Sequence, residues 1–213
     1  MNAKVSRKII RVPASTSNLG AGFDALGLAL QLYLRIEIQL SGTPALHLVL
    51  GGEGSNELPA DDNNLVYRAM RHVFEGESVN LPGVSLRIWN EIPLARGLGS
   101  SAAAIVAGIS CFEALTDVEL SPEKFFQYAF AFEMHPDNLT AARYGGFTVN
   151  CVDEQGRVTF FKSAVFPGVK ILLVVPEFQL QTEEARAAIP QTLPLHDSVF
   201  NVQRSSLTVA ALL

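Results

Sequence analysis

One stretch, Pro93-Leu94-Ala95-Arg96-Gly97-Leu98-Gly99-Ser100-Ser101-Ala102-Ala103-Ala104, carries the clearest chemical signal in the chain. Two glycines one residue apart precede two hydroxyls and a small-residue helix start. N–H groups freed at a helix N-terminus, with the dipole behind them, favour an anion. Glycine lets the main chain come close to that anion. Ser100 and Ser101 can cap the helix, and a hydroxyl there can reach a metal ion held by phosphates. The chemistry expected is phosphate binding. Three other groups could serve it. Asn18 and Asp24 offer an amide for a hydroxyl or carboxyl and a carboxylate for an ammonium. Glu133, Asp137 and Asn138, beside His135, offer oxygen ligands for Mg²⁺. Thr182 and Arg186 lie four apart on one helical face, and Arg186 can fork onto a carboxylate or phosphate.

Each group also has a plainer structural reading. The glycine loop is also a helix cap with close packing. Ser15, Ser17 and Asn18 also suit turn hydrogen bonds. Asp137 or Asn138 also suits a capped helix start, and Arg186 an exposed helix arginine. His135 is expected to be structural, because Pro136 follows it and no nucleophile pattern pairs with it.

The elements that must position these groups read as follows. Lys8–Val12, Gln31–Leu40, Ala45–Leu50, Val84–Trp89, Phe147–Val152, Val158–Phe161 and Val169–Val175 are expected strands. Pro13–Asp24 is expected to be a polar loop pinned between apolar segments, which suggests a site. Helices are expected over Asn63–Phe74, over Ser100–Leu115, from Ser121 towards Glu133, up to Tyr144, from Thr182 to Pro190, and from about Asp197 onward. Strands before and between helices, without regular βαβ alternation, argue an α+β fold.

The 213 residues suit one large or two small domains, and 48% apolar content supports a sizeable core. A net charge of −5 provides no basic footprint for nucleic acid. Cys111 and Cys151 lie in apolar contexts and read as buried small hydrophobes in a reducing compartment. Neither a signal peptide nor a membrane span is expected, so the default is a soluble cytoplasmic protein.

A Walker loop is excluded, because no Gly-Lys pair occurs. Gly97 to Ala102 does fit G-x-G-x-x-A, and Asp117 follows at about the dinucleotide-fold spacing of 20 residues. The connections argue against that fold: Asn90–Arg96 separates strand from glycines, and Asp117 falls between helices.

Three blocks, P-A-S-T-S-N-L-G-A-G-F-D-A-L-G, P-L-A-R-G-L-G-S-S-A-A-A and E-M-H-P-D-N, with T-E-E-A-R-A-A-I-P after them, resemble the homoserine kinases, a family of the GHMP kinases. The middle block marks the superfamily, and the outer ones point to homoserine kinases. The resemblance spans Val12 to Leu213. It implies an N-terminal α+β domain of the ribosomal-protein-S5 type over residues 1–163. Residues 164–213 would be part of a ferredoxin-like C-terminal domain. It implies ATP on Pro93–Ala103, with Asn64 near adenine and ribose and Ser101 and Glu133 towards Mg²⁺. Asn18, Asp24, Asp137 and Arg186 would contact L-homoserine, and Thr182 the transferring phosphoryl group. Asp24 would be the base, if one is needed. The implied reaction makes O-phospho-L-homoserine for threonine biosynthesis. The partner is a small molecule, with no nucleic acid and no membrane; a homodimer stays open.

The pattern departs from the family in two places. Leu139-Thr140-Ala141-Ala142 stands where relatives read Val-Ala-Pro-Ala. The family's Gly-Ser-Gly-Pro motif and a further substrate arginine are missing, and Leu213 falls inside a helical pattern. The C-terminal domain is therefore expected to be incomplete. Two alternatives follow: another small-alcohol GHMP kinase, or a non-catalytic nucleotide-binding fragment.

Overall fold

Strand β2, Leu26–Leu40, is the axis of the sheet. Its apolar residues alternate over Leu34, Ile36 and Ile38, so one face is buried. One side of β2 pairs antiparallel with β1, Lys8–Ser17, along most of its length. The other side is shared. Strand β4, Val84–Asn90, takes Leu34–Leu40, and β5, Phe147–Val152, takes Leu26–Leu28. Strand β3, Leu46–Gly52, lies parallel to β4, and β6, Val158–Ser163, closes the order β3-β4-β2-β5-β6. The computed structural model describes residues 7–41, 43–176, 178 and 182–213, the side chains of residues 182–184 excepted.

Helices α1, Leu65–Gly76, α2, Ser100–Thr116, α3, Pro122–Ala129, and α4, Pro136–Tyr144, supply the other half of the core. Helix α2 is apolar nearly all round, as expected for a helix packed between layers. Gly108 lets α2 approach α1: a Cβ there would sit 2.3 Å from the Val66 carbonyl oxygen and 2.7 Å from Ala69 Cβ. Gly108→Ala should therefore cost about 1–3 kcal/mol by overpacking, read by denaturant unfolding.

The structure is the α+β fold expected, with several corrections. Strand β1 continues through Pro13–Ser17, which the composition suggested was loop. Pro13 has no N–H to give, and the ladder shifts register between Pro13 and Ala14, as a bulge permits. Strand β2 begins at Leu26 instead of Gln31, because Leu26–Leu28 lie between β1 and β5. Helix α3 stops at Ala129, and turn bonds such as Glu133 N–H to the Ala129 carbonyl carry the chain onward. Helix α4 starts at Pro136 with His135 as its N-cap, two residues or more before the caps expected at Asp137 or Asn138.

Val169–Val175 is not a strand. Among the described residues no strand pairs with it, and Leu172 and Val174 are almost wholly exposed. Alternation alone cannot satisfy a ladder. After Ser163 the described elements are helices α5, Thr182–Ala187, and α6, Leu195–Leu212. No described helix is long and apolar enough to cross a membrane.

Candidate active site

The loop between β4 and α2 is pinned at its start by Asn90. The Asn90 side chain donates to the Glu53 and Ile92 carbonyls and accepts from Ile92 N–H at 3.1 Å. The chain then turns left-handed at Ala95, Gly97 and Gly99, with φ of 52°, 68° and 66°. Gly99 is the N-cap of α2 and provides no side-chain cap. The expectation that Ser100 or Ser101 caps the helix is corrected: both lie inside the first turn. Both residues line the cleft, and the first N–H groups of α2 remain for an anion.

The cleft has a volume of about 690 Å³. Its lining includes Pro93 through Ala102, Ser17, Asn18, Glu133, Asp137, Asn138 and Arg186. These groups are distant in sequence but share one wall-to-wall space. Apolar side chains that the sequence reading missed, among them Phe23, Leu58, Leu65 and Ile189, complete the lining. Their only sequence signal was proximity to the polar motifs. Ala103 is buried one turn into α2, outside the lining.

Asn64 does not reach the cleft. Its Oδ1 accepts from Val66 N–H at 3.1 Å and its Nδ2 donates to the Pro59 carbonyl at 2.8 Å. The oxygen caps α1 and one amide hydrogen ties down the Pro59 carbonyl, which leaves the second amide hydrogen uncommitted; a contact from it to a nucleotide remains a proposal.

Asn18 and Asp24 sit in a strained turn. Asn18, Leu19 and Asp24 all have positive φ. The Asn18 Oδ1 accepts from Asp24 N–H at 2.9 Å, leaving the Asn18 NH₂ for a ligand. The structure pairs Asp24 with Arg186: Nη2 to Oδ1 is 2.5 Å and Nη1 to Oδ2 is 3.2 Å. The pair is about one-third exposed, and the guanidinium also lies 5.1 Å from the Phe23 ring centroid. The Asp24 carboxylate holds the guanidinium of Arg186 more firmly protonated than usual. Arg96 ties the same wall down by donating to the carbonyls of Pro176 and Phe178. The side chain of Thr182 lies outside the described residues.

Asp137 is 3% exposed. Burial, the largest influence, pushes its carboxyl above the usual range, and the Asp24 charge adds to this. The Asn138 N–H, the Ser17 hydroxyl and His135 pull in the other direction without cancelling it. Glu133 Oε1 is held by the His135 ring at 2.7 Å and by the His135 N–H at 3.1 Å. That leaves Glu133 Oε2 and the Ser101 hydroxyl as hard oxygen donors on the same cleft. Among the described residues no cluster of three or more His, Cys, Asp or Glu forms a metal cage. The donor set suits Mg²⁺, which uses one or two protein oxygens and completes its shell with phosphates and water.

Residues 64–146 match the model described as the GHMP kinases N terminal domain. That is the class which the sheet, the loop and the helix start define. The chain is 43% identical over 205 residues to a homoserine kinase of Persephonella marina, covering 95% of this chain and 66% of that relative. It is 38% identical over 212 residues to one of Solibacter usitatus, covering 100% of this chain and 69% of that relative. The crystal structure of a homoserine kinase from Cytophaga hutchinsonii shares the fold, with a TM-score of 0.81 at 24% identity over 100% of this chain and 69% of that one. The chain belongs to the homoserine kinase family. It spans about two thirds of the length of the curated relatives it matches.

Proposed function

We propose that the cleft transfers the γ-phosphoryl group of ATP to the side-chain hydroxyl of L-homoserine. The observation that supports this most is the Asp24–Arg186 pair, whose arginine lines the same cleft as the phosphate loop while Asp24 itself is outside the lining. An acid and a guanidinium side by side match the ammonium and carboxylate of an amino acid. A zwitterion entering there exchanges one internal ion pair for two with itself.

The bound nucleotide places its phosphates on the α2 N-terminus, where Gly97 and Gly99 allow main-chain contact. Ser101 and Glu133 would hold Mg²⁺, which neutralises charge on the β- and γ-phosphates. Asn18 and Asn138 supply N–H donors, and Asp24 and Arg186 hold the amino acid. The homoserine oxygen forms a bond to the γ-phosphorus while the bond to the β–γ bridging oxygen breaks, and ADP leaves. Such transfers depend on alignment and charge stabilisation more than on covalent help. The hydroxyl proton passes to Asp137, whose raised affinity for a proton suits that task. Asp24 is assigned instead to the ammonium of the substrate, so the base role expected for it moves to Asp137. The reaction belongs to cytoplasmic threonine biosynthesis.

The test is phosphoryl transfer itself. The chain, Mg²⁺, ATP and L-homoserine should give ADP and a phosphomonoester detectable by ³¹P NMR. Faster turnover of mevalonate or a sugar would overturn the substrate assignment. A second reading is a nucleotide-binding unit without turnover; ADP binding without product formation would select it.

Arg186→Ala should raise KM for L-homoserine by about 10- to 100-fold, the worth of a charge-assisted bond to a carboxylate. Arg186→Lys should not restore it, because an ammonium lacks the planar fork. Steady-state kinetics against L-homoserine and against ATP separates this from a nucleotide effect.

A further inference from the structure

Ser15 is fully buried and outside the cleft lining, yet it touches both halves of the site. Its N–H donates to the Leu98 carbonyl of the phosphate loop at 3.1 Å. Its hydroxyl donates to Asn138 Oδ1 on α4 at 2.9 Å. The junction has no slack: a Cβ on Gly99 would lie 2.1 Å from Ser15 Oγ and 3.2 Å from Asn138 Oδ1. The other end of the Asn138 amide donates to Ser17 Oγ at 3.0 Å.

These bonds decide which way the amide points. With Oδ1 committed to Ser15 and one Nδ2–H to Ser17, Asn138 has its second N–H left for a ligand. It therefore offers a donor to whatever lies against it. Loss of the Ser15 hydroxyl would leave the Oδ1 end unheld, and the amide could present either end. The same loss would leave Leu98 joined to β1 but no longer to α4.

We propose that Ser15 is a positioning residue that couples the two halves of the cleft, locking the phosphate loop to Asn138 and fixing that amide as a donor towards the acceptor hydroxyl. The inference rests on the kinase reading, because it assigns the nucleotide to one half and the alcohol to the other. A nucleotide that orders the loop then orders Asn138 through Ser15, and an alcohol on Asn138 orders the loop in return. Thermodynamic linkage makes the two effects equal.

The experiment is calorimetric titration of the full 213-residue chain with the magnesium complex of a non-hydrolysable ATP analogue, with L-homoserine, and with each in the presence of the other. In the unsubstituted protein each ligand should tighten the other by about fivefold or more, and Ser15→Ala should reduce that mutual factor to near one while each ligand alone keeps its affinity within about twofold. Ser15→Cys fills the same space with a weak donor and should behave like Ser15→Ala; it carries the test if the alanine variant does not fold. A purely structural serine would lower melting temperature or both separate affinities and leave the mutual factor intact, which would overturn the proposal. Binding of both ligands to the unsubstituted chain without mutual tightening would overturn it as well. If the unsubstituted chain binds neither ligand, the kinase reading fails and this inference with it.

Discussion

Asp137→Asn should lower turnover by about 10²–10⁴-fold, the usual worth of a positioned proton acceptor. The loss should fall mainly on kcat, because the amide keeps the size of the side chain and an oxygen able to accept from Asn138 N–H. Stability should change in the opposite direction. The carboxyl of Asp137 is raised in the folded chain, so the native state holds its proton to higher pH than the unfolded chain does. Between the ordinary value of about 3.9 and the raised one, the native state binds more protons, and stability falls as pH rises through that window. Asparagine never ionises and escapes that cost. The variant should therefore unfold at higher denaturant concentration at neutral pH. The advantage should shrink as pH falls and vanish below about 4, where both forms are neutral. A variant that loses activity and also loses stability at neutral pH would contradict the assignment of a strained, buried carboxylate.

Gly99→Ala should have the largest effect on nucleotide binding. Its φ of 66° is left-handed, and the added Cβ would meet Ser15 Oγ at 2.1 Å and the Ser15 carbonyl oxygen at 3.0 Å. The strain and the overlap together should cost about 2–5 kcal/mol, from about 1–2 for a left-handed residue and about 1–3 for overpacking. Relief requires the loop to move away from β1. That movement displaces the N–H groups at the start of α2, and ATP affinity should fall by roughly 100-fold or more, as for donors set out of place. Gly97→Ala is the control. Gly97 has a similar φ of 68°, but its Cβ would meet nothing within 4 Å. It should show the backbone cost alone. Equal losses from both substitutions would mean that the contact with Ser15 is unimportant.

The phosphate loop was legible because glycine and serine punctuate it and because a strand and a helix flank it within one local stretch. The start of α1 was legible for the same reason. Asn64 stands where the resemblance implies a nucleotide contact, and its amide also makes two local bonds within the eight residues from Pro59 to Val66. What stayed hidden was long-range pairing. Asp24 and Arg186 were each read as ligand groups, but nothing local says that two groups 162 residues apart neutralise each other. Ser15 and Ser17 read as loop polars, because their partner Asn138 is more than a hundred residues away. Val169–Val175 failed for a related reason. Its alternation satisfies one strand, whereas a ladder needs two.

The sharing of β2 between β4 and β5 also bears on how the chain reaches its folded state. Strand β1 can join β2 early, since a short turn connects them. Strand β5 must close a far longer loop before Leu26 meets Val149. Closing such a loop costs entropy before any contact rewards it, so this pairing is expected to be a late kinetic step. It is also the step that seats α4: a Cβ on Gly27 of β2 would lie 2.3 Å from the Asp137 carbonyl oxygen. Before it, the ligand-binding surface does not exist. Nucleotide added during refolding should leave the folding rate unchanged and slow only the unfolding rate, because it recognises the finished chain and not the barrier before it.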